Sequence, residues 1–232
     1  MNRAILLDIE GTTTPIDFVH QTLFPYARAR VSGFVSENSA RLKTEITQLV
    51  AEHRDDIEYS NGLNPDSANS VADYLKFLIE TDRKSTPLKS IQGMIWQTGY
   101  ENGDLVSPVY PDVAEAFERW KSDGNMIAIY SSGSVLAQHL IFKYSDQGDL
   151  TRFIDRYFDT QVGHKRETES YQRISAELGL DAGSILFISD ISEELDAASA
   201  AGFETALSLR AGNAVVEGQK HYRAISTFDE LE

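Results

Sequence analysis

The sequence has no cysteine. Disulfides, thiolate metal sites and cysteine nucleophiles are therefore excluded. Positive charge is scarce: 21 Lys and Arg stand against 36 Asp and Glu, for a net charge of −15 and a pI near 4.7. The basic residues are scattered and form no run. Nucleic acid and anionic membrane surfaces need basic patches, so neither is an expected partner. An acidic chain also repels anions at long range, so any phosphate site needs its own local cation. No apolar run approaches the roughly 20 residues of a membrane span. The chain enters a strand almost at its start, so no signal peptide is expected and a cytoplasmic location is. No internal repeat and no low-complexity tract is present.

What is there reads as one large domain, or a core domain with an insertion, at 232 residues. "AILLD" (4–8) is a short continuous apolar run, the pattern of a strand covered on both faces of a parallel sheet. "MIAIYSSGS" (126–134) and "ILFISD" (185–190) repeat it, and "RYFDT" (156–160) and "ETALSL" (204–209) are shorter candidates. Helical stretches lie between. Asp112 with Glu115 suggests an N-cap and its partner three residues on, and Gly124 closes that helix. Further helices close at Gly179 and Gly202. Strand–helix alternation predicts an α/β, doubly wound parallel-sheet core from residues 1–15 and 106–232.

Residues 16–105 break the alternation and predict a mostly helical insert after the first strand. Apolar residues from Phe18 to Val35 recur at helical spacing, with Pro25 expected to start a second helix there. "ARLKTEITQLVAEHR" and "VADYLKFLIETDR" are amphipathic helices, and Thr86 with Pro87 is expected to open another. Residues 59–70 suggest a turn-rich loop.

In open α/β sheets, ligands bind beyond the carboxyl ends of the strands. Three strands here end on polar groups: Asp8 and Glu10, Ser131 and Ser132, and Asp190. A buried acid at a strand end is costly unless it meets a cation or does chemistry. Carboxylates without cysteine, or a suitably spaced histidine pair, suit a hard cation such as Mg2+. The serine hydroxyls and backbone amides of "SSGS" suit an anion at a helix N-terminus. Lys165, in a loop leading into a helix, adds a point charge. Carboxylate, metal, hydroxyl and lysine together form a phosphoryl-transfer site. Alone, each element reads more blandly, as a solvated turn, a helix start, a surface lysine and an acid-rich first turn.

"DIEGTTT", "YSSGS", "GHKRETESY" and "LFISDISEELDAA" resemble the four motifs of haloacid dehalogenase-like phosphatases, in the family's order. The chain from residue 4 to about 215 is most similar to the enolase-phosphatases of methionine salvage, whose first motif, like this one, carries Glu10 where most of the superfamily has aspartate. The resemblance implies that Asp8 is the nucleophile and, with Asp190 and the backbone carbonyl of Glu10, ligates one Mg2+ per subunit. It implies acid–base work for the Glu10 side chain, phosphate binding by Ser131 and Ser132, and charge neutralisation by Lys165. Glu194 would orient metal waters or Lys165. The implied reaction is enolisation and dephosphorylation of 2,3-diketo-5-methylthiopentyl-1-phosphate to an acireductone. The helical insert would be the cap, with Phe18, Phe24, Tyr26 and Trp96 as candidates for a wall against the methylthio tail, or for packing. His20 and His164 lie close to motifs and suggest structural hydrogen bonds or a base. The expected partner is a small phosphorylated molecule and the expected state a monomer. A general phosphatase or dehalogenase on the same scaffold is the nearest rival. A phospho-aspartate signalling module is the rival from another class, disfavoured by the large insert.

Overall fold

Ala4–Leu7 (β1) holds four apolar residues in a row, all of them buried. It pairs in parallel with Met126–Tyr130 (β2), which pairs in turn with Arg156–Phe158 (β3). On its other side β1 pairs with Ile185–Ser189 (β4), and Glu204–Ser208 (β5) and Arg223–Ile225 (β6) follow. The sheet order is β3-β2-β1-β4-β5-β6, parallel throughout. The expected α/β core is therefore observed, with β1 and β4 at its centre. β6 was not legible: it has three residues, and only Ile225 is buried. This computed structural model describes residues 3–213 and 222–231.

The chain divides into two compact units, Met1–Val19 with Val106–Glu232, and His20–Leu105. Ile16–Phe18 (α1) runs through a π turn, Val19–Leu23, into Phe24–Asn38 (α2). Pro25 lies in the first turn of α2, the second helix it was expected to start, although Leu23 keeps helical dihedrals and no side chain caps α2. The widened turn accommodates a proline that lacks an N–H and whose ring would crowd the carbonyl four residues back. Lys43–His53 (α3), Ala68–Glu80 (α4) and Thr86–Glu101 (α5) complete the helical unit. Ala27, Val31 and Val35 of α2, four residues apart, form a buried stripe. Val71, Leu75 and Leu78 of α4 and Leu88, Ile91 and Ile95 of α5 do the same. Ser85, not Thr86, caps α5, its Oγ accepting the Leu88 N–H at 3.2 Å, so Pro87 sits one position further in than expected.

Asp112–Ser122 (α6), Val135–Lys143 (α7), Thr168–Leu178 (α8) and Ser192–Ala200 (α9) are the helices of the α/β unit. Asp112 does not cap α6. Pro111 already has helical dihedrals, and the Asp112 carboxylate turns inward to Arg210 at 3.0 and 2.8 Å and to the Phe228 N–H at 2.6 Å. Its local cap signal lost to a buried ion pair formed across 98 residues of chain. Gly179 and Gly202 follow α8 and α9 at φ +66° and +93°, as the helix-stop reading predicted.

Candidate active site

The β1–β4 ladder continues one residue past β1: the Asp8 N–H donates to the Ile188 carbonyl at 3.0 Å. A tight turn follows, in which the N–H groups of Thr12, Thr13 and Thr14 all point to the Ile9 carbonyl at 3.2, 2.9 and 2.9 Å. Gly11 closes it at φ +68°. The turn holds the Asp8 side chain at the strand end, where the Ile9 N–H donates to its Oδ1 at 2.7 Å. The "DIEGTTT" run is thus a strand followed by a rigid shelf.

Lys165 is brought to that shelf by a loop fixed at three carbonyls. Tyr130 OH donates to the Gly163 carbonyl at 2.9 Å, Ser170 Oγ to that of His164 at 2.8 Å, and Tyr171 OH to that of Lys165 itself at 2.6 Å. Gly163 has φ +134°, and a methyl group there would sit 2.1 Å from Ser170 Oγ, so no larger residue fits. Lys165 Nζ lies 2.7 Å from Asp8 Oδ1 and 2.6 Å from Glu194 Oε2. All three side chains are about 90% buried. Ser189, the last residue of β4, closes the ring: its Oγ is 2.9 Å from Glu194 Oε2 and 3.2 Å from Asp8 Oδ2. One hydroxyl has one proton, and the shorter contact is to Glu194. Asp8 Oδ1 is therefore occupied twice, while Oδ2 keeps lone pairs to spare.

The charges do not balance. Burial alone would lower the Lys165 pKa, but Asp8 and Glu194 outweigh it and hold the ammonium above its ordinary value. Glu194 is raised, first by burial and then by the charge of Asp8, which the ammonium offsets only in part. Asp190, beside them, is buried, and among the described residues no lysine or arginine forms an ion pair with it. Burial first, and Asp8 second, push it up to about 7. Three buried carboxylates thus share one ammonium and would carry a surplus of two negative charges when ionised. An all-oxygen donor set with that surplus fits a hard divalent cation. Among the described residues no three His, Cys, Asp or Glu side chains converge as a metal cage. Asp8 and Asp190 could be side-chain donors to such a cation, and Glu10 could add a backbone carbonyl.

Ser131 follows β2 directly and is buried. Its Oγ accepts the Gly133 N–H at 3.2 Å, which leaves its proton for an outside acceptor. Ser134 caps α7 by accepting the Ala137 N–H at 3.3 Å. Two amides of the "SSGS" turn region are thereby committed internally, so an anion would meet hydroxyls as well as N–H groups. Ser132 and Glu10 are half-buried. Of the aromatic candidates, Trp96 donates to the Leu23 carbonyl at 2.8 Å and stacks on Phe24, with centroids 6.4 Å apart. Tyr26 bonds Asp104 at 2.8 Å under the Arg30 guanidinium. These three rings make their contacts within the helical unit. His20 meets Phe24 edge to face.

Sequence reasoning missed Ser189, Gln138 and Arg210. Gln138 is fully buried and clamps the serine turn, its Nε2 donating to the carbonyls of Gly133 at 2.9 Å and Phe158 at 2.8 Å. Arg210 Nε donates to the Thr12 carbonyl at 3.1 Å and so braces the shelf. A glutamine inside the apolar run "VLAQHLIF" and a serine ending "ILFIS" were the available signals.

A family model of haloacid dehalogenase-like hydrolases matches residues 2–202. "Enolase-phosphatase E1" of Enterobacter sp. (strain 638) is 46% identical over 231 residues, covering 100% of this chain and 97% of its own length. The protein of that name from Leptospira borgpetersenii serovar Hardjo-bovis (strain JB197) is 50% identical over 226 residues, with 97% and 96% covered. A solved structure from Saccharomyces cerevisiae, titled Unknown transcript 4 protein, superposes with a TM-score of 0.81 at 35% identity, covering 100% of both chains. The strand-end carboxylates, the serine turn and the buried lysine thus stand in a chain that belongs to the haloacid dehalogenase-like hydrolases and, among them, to the enolase-phosphatases.

Proposed function

We propose that the chain enolises 2,3-diketo-5-methylthiopentyl-1-phosphate and removes its phosphate, giving the acireductone 1,2-dihydroxy-3-keto-5-methylthiopentene. The observation that carries the phosphatase half is the Asp8 carboxylate, with Oδ1 neutralised by Lys165 and the Ile9 N–H and Oδ2 left with lone pairs. Oδ2 attacks phosphorus, the bond from phosphorus to the ester oxygen breaks, and that oxygen takes a proton. Water then attacks the aspartyl phosphate and restores Asp8. Lys165 stays protonated throughout and holds charge on the phosphoryl oxygens as well as on Asp8. The Ser131 and Ser132 hydroxyls bind the phosphate. Asp8, Asp190 and the Glu10 carbonyl would hold Mg2+, which when bound supplies positive charge to the phosphate oxygens.

Enolisation removes a proton from C1, the carbon bearing the phosphoester oxygen, so its base lies a few bonds from the atom Asp8 attacks. Glu10 adds one methylene of reach over aspartate and is assigned the enolisation proton and the protonation of the leaving oxygen. The test follows exchange of C1 hydrogen in heavy water alongside phosphate release, with magnesium and in excess chelator. Asp8→Asn is expected to exchange without releasing phosphate. Glu10→Gln is expected to lose exchange. Exchange at the parent rate in Glu10→Gln would move the base elsewhere. Equal turnover of generic phosphate esters would overturn the substrate assignment.

A further inference from the structure

Asn213 lies beyond β5, outside every motif, and its two amide atoms are in opposite situations. Its Nδ2 donates to the Gly11 carbonyl at 2.8 Å and to the Ser208 carbonyl at 3.2 Å. Those two bonds fix which end of the amide is which, because a flipped amide would set oxygen against two carbonyls. The remaining oxygen, Oδ1, is buried, and no group among the described residues donates to it. It does not face an apolar wall. A methyl group placed on Gly11 would lie 2.4 Å from Asp190 Oδ2 and 2.9 Å from Asn213 Oδ1. The two oxygens therefore border one small space over the shelf, and both accept hydrogen bonds.

A buried acceptor such as Asn213 Oδ1, beside the Asp190 carboxylate, calls for a donor. Among the described residues the protein supplies none there. Gly11, whose missing side chain lets both groups approach the shelf closely, adjoins Glu10, and Asp190 is one of the two carboxylates suited to a divalent cation. Mg2+ gives up its waters reluctantly and usually keeps several, and each such water is a strong donor. We infer that Asn213 is a positioning residue of the metal site, its Oδ1 accepting a hydrogen bond from a water of the hydrated divalent cation. This inference rests on the metal assignment of the proposed function. Partners of this outer kind, when removed, typically cost about 10- to 100-fold in metal affinity.

The experiment measures Mg2+ binding to the chelator-stripped full chain by titration calorimetry, without substrate. Asn213→Ala is expected to raise the Mg2+ dissociation constant about 10-fold or more. Asn213→Asp keeps an acceptor at Oδ1 and loses the Nδ2 donor, so it is expected to bind Mg2+ as tightly as the parent or tighter. Ser208→Ala removes the other side-chain donor to the Gly11 carbonyl, which Ser208 Oγ reaches at 3.0 Å. It tests loosening of the shelf alone and is expected to stay within about threefold of the parent. Parent affinity in Asn213→Ala overturns the inference, and so does an Asn213→Asp as weak as Asn213→Ala, which would make Asn213 a mere anchor. An equal loss in Ser208→Ala overturns it too. A parent that binds no Mg2+ overturns the metal assignment itself, and this inference with it.

Discussion

In the helical unit, Arg28 with Glu80, Arg30 with Asp104 and Lys84 with Asp82 keep their charged ends about half in water. In the α/β unit, Lys165, Asp8, Glu194 and Asp190 are withdrawn from water, and one ammonium serves three carboxylates. Asp56 sharpens the contrast, because it is a buried acid in the helical unit. It meets Tyr74 OH at 3.0 Å, Arg83 at 2.7 Å and the Glu58 N–H at 3.1 Å. A buried acid with both oxygens engaged is held for structure. A buried acid left short of cations is held ready for a ligand.

The strongest way to break the comparison is Lys165→Ala. It strands Asp8 and Glu194 together, and unfolding by denaturant is expected to show a loss of about 3–5 kcal/mol at neutral pH. Phosphate release is expected to fall by a factor on the order of 100 or more. The stability loss should shrink as pH falls, because protonation removes the charges that Lys165 had compensated. Parent stability in this variant would mean that the sheet edge tolerates unpaired charge, and the contrast would dissolve.

Asp56→Asn is expected to be milder. Burial opposes ionisation of Asp56, but Tyr74, the Glu58 N–H and Arg83 together outweigh it and hold its pKa below 3.8. A depressed carboxylate stabilises the fold above its unfolded pKa and loses that contribution as pH falls through the folded one. Asp56→Asn should therefore cost roughly 1–2 kcal/mol near pH 7 and progressively less as pH falls through the folded-state pKa, read from denaturation midpoints across pH. A penalty that persists unchanged in acid would make the asparagine a packing fault and not a lost charge.

Arg28→Ala is the smallest. With both partners half exposed, its effect on the unfolding free energy is expected to stay within about 0.5 kcal/mol. A cost above 2 kcal/mol would show that charge on the surface of the helical unit matters as much as charge at the sheet edge.

The sheet and the strand-end acids were legible because both are local signals. An apolar run followed by Asp8 or by Asp190 carries its meaning within ten residues. The burial of Lys165 was not local. Nothing in "VGHKRETESY" says that Tyr130, from 35 residues upstream of Lys165, pins that loop alongside the string's own Ser170 and Tyr171. Asp112 shows the converse, a local cap signal overridden by Arg210. Asn213 was invisible for the same reason, since its partner Gly11 lies 202 residues away in the chain.

The central position of β1 has a consequence for the order of assembly. Its four apolar residues are synthesised well before their partners, which begin at Met126 and Ile185. During translation Ala4–Leu7 stays an unpaired, sticky edge until Tyr130 has emerged, while the helical unit, whose partners are close in sequence, has everything it needs by Leu105. Long loop closures slow folding and lengthen exposure to aggregation. The nascent chain thus carries a finished helical bundle tethered to an unfinished strand, and that strand is where a chaperone would have most to hold.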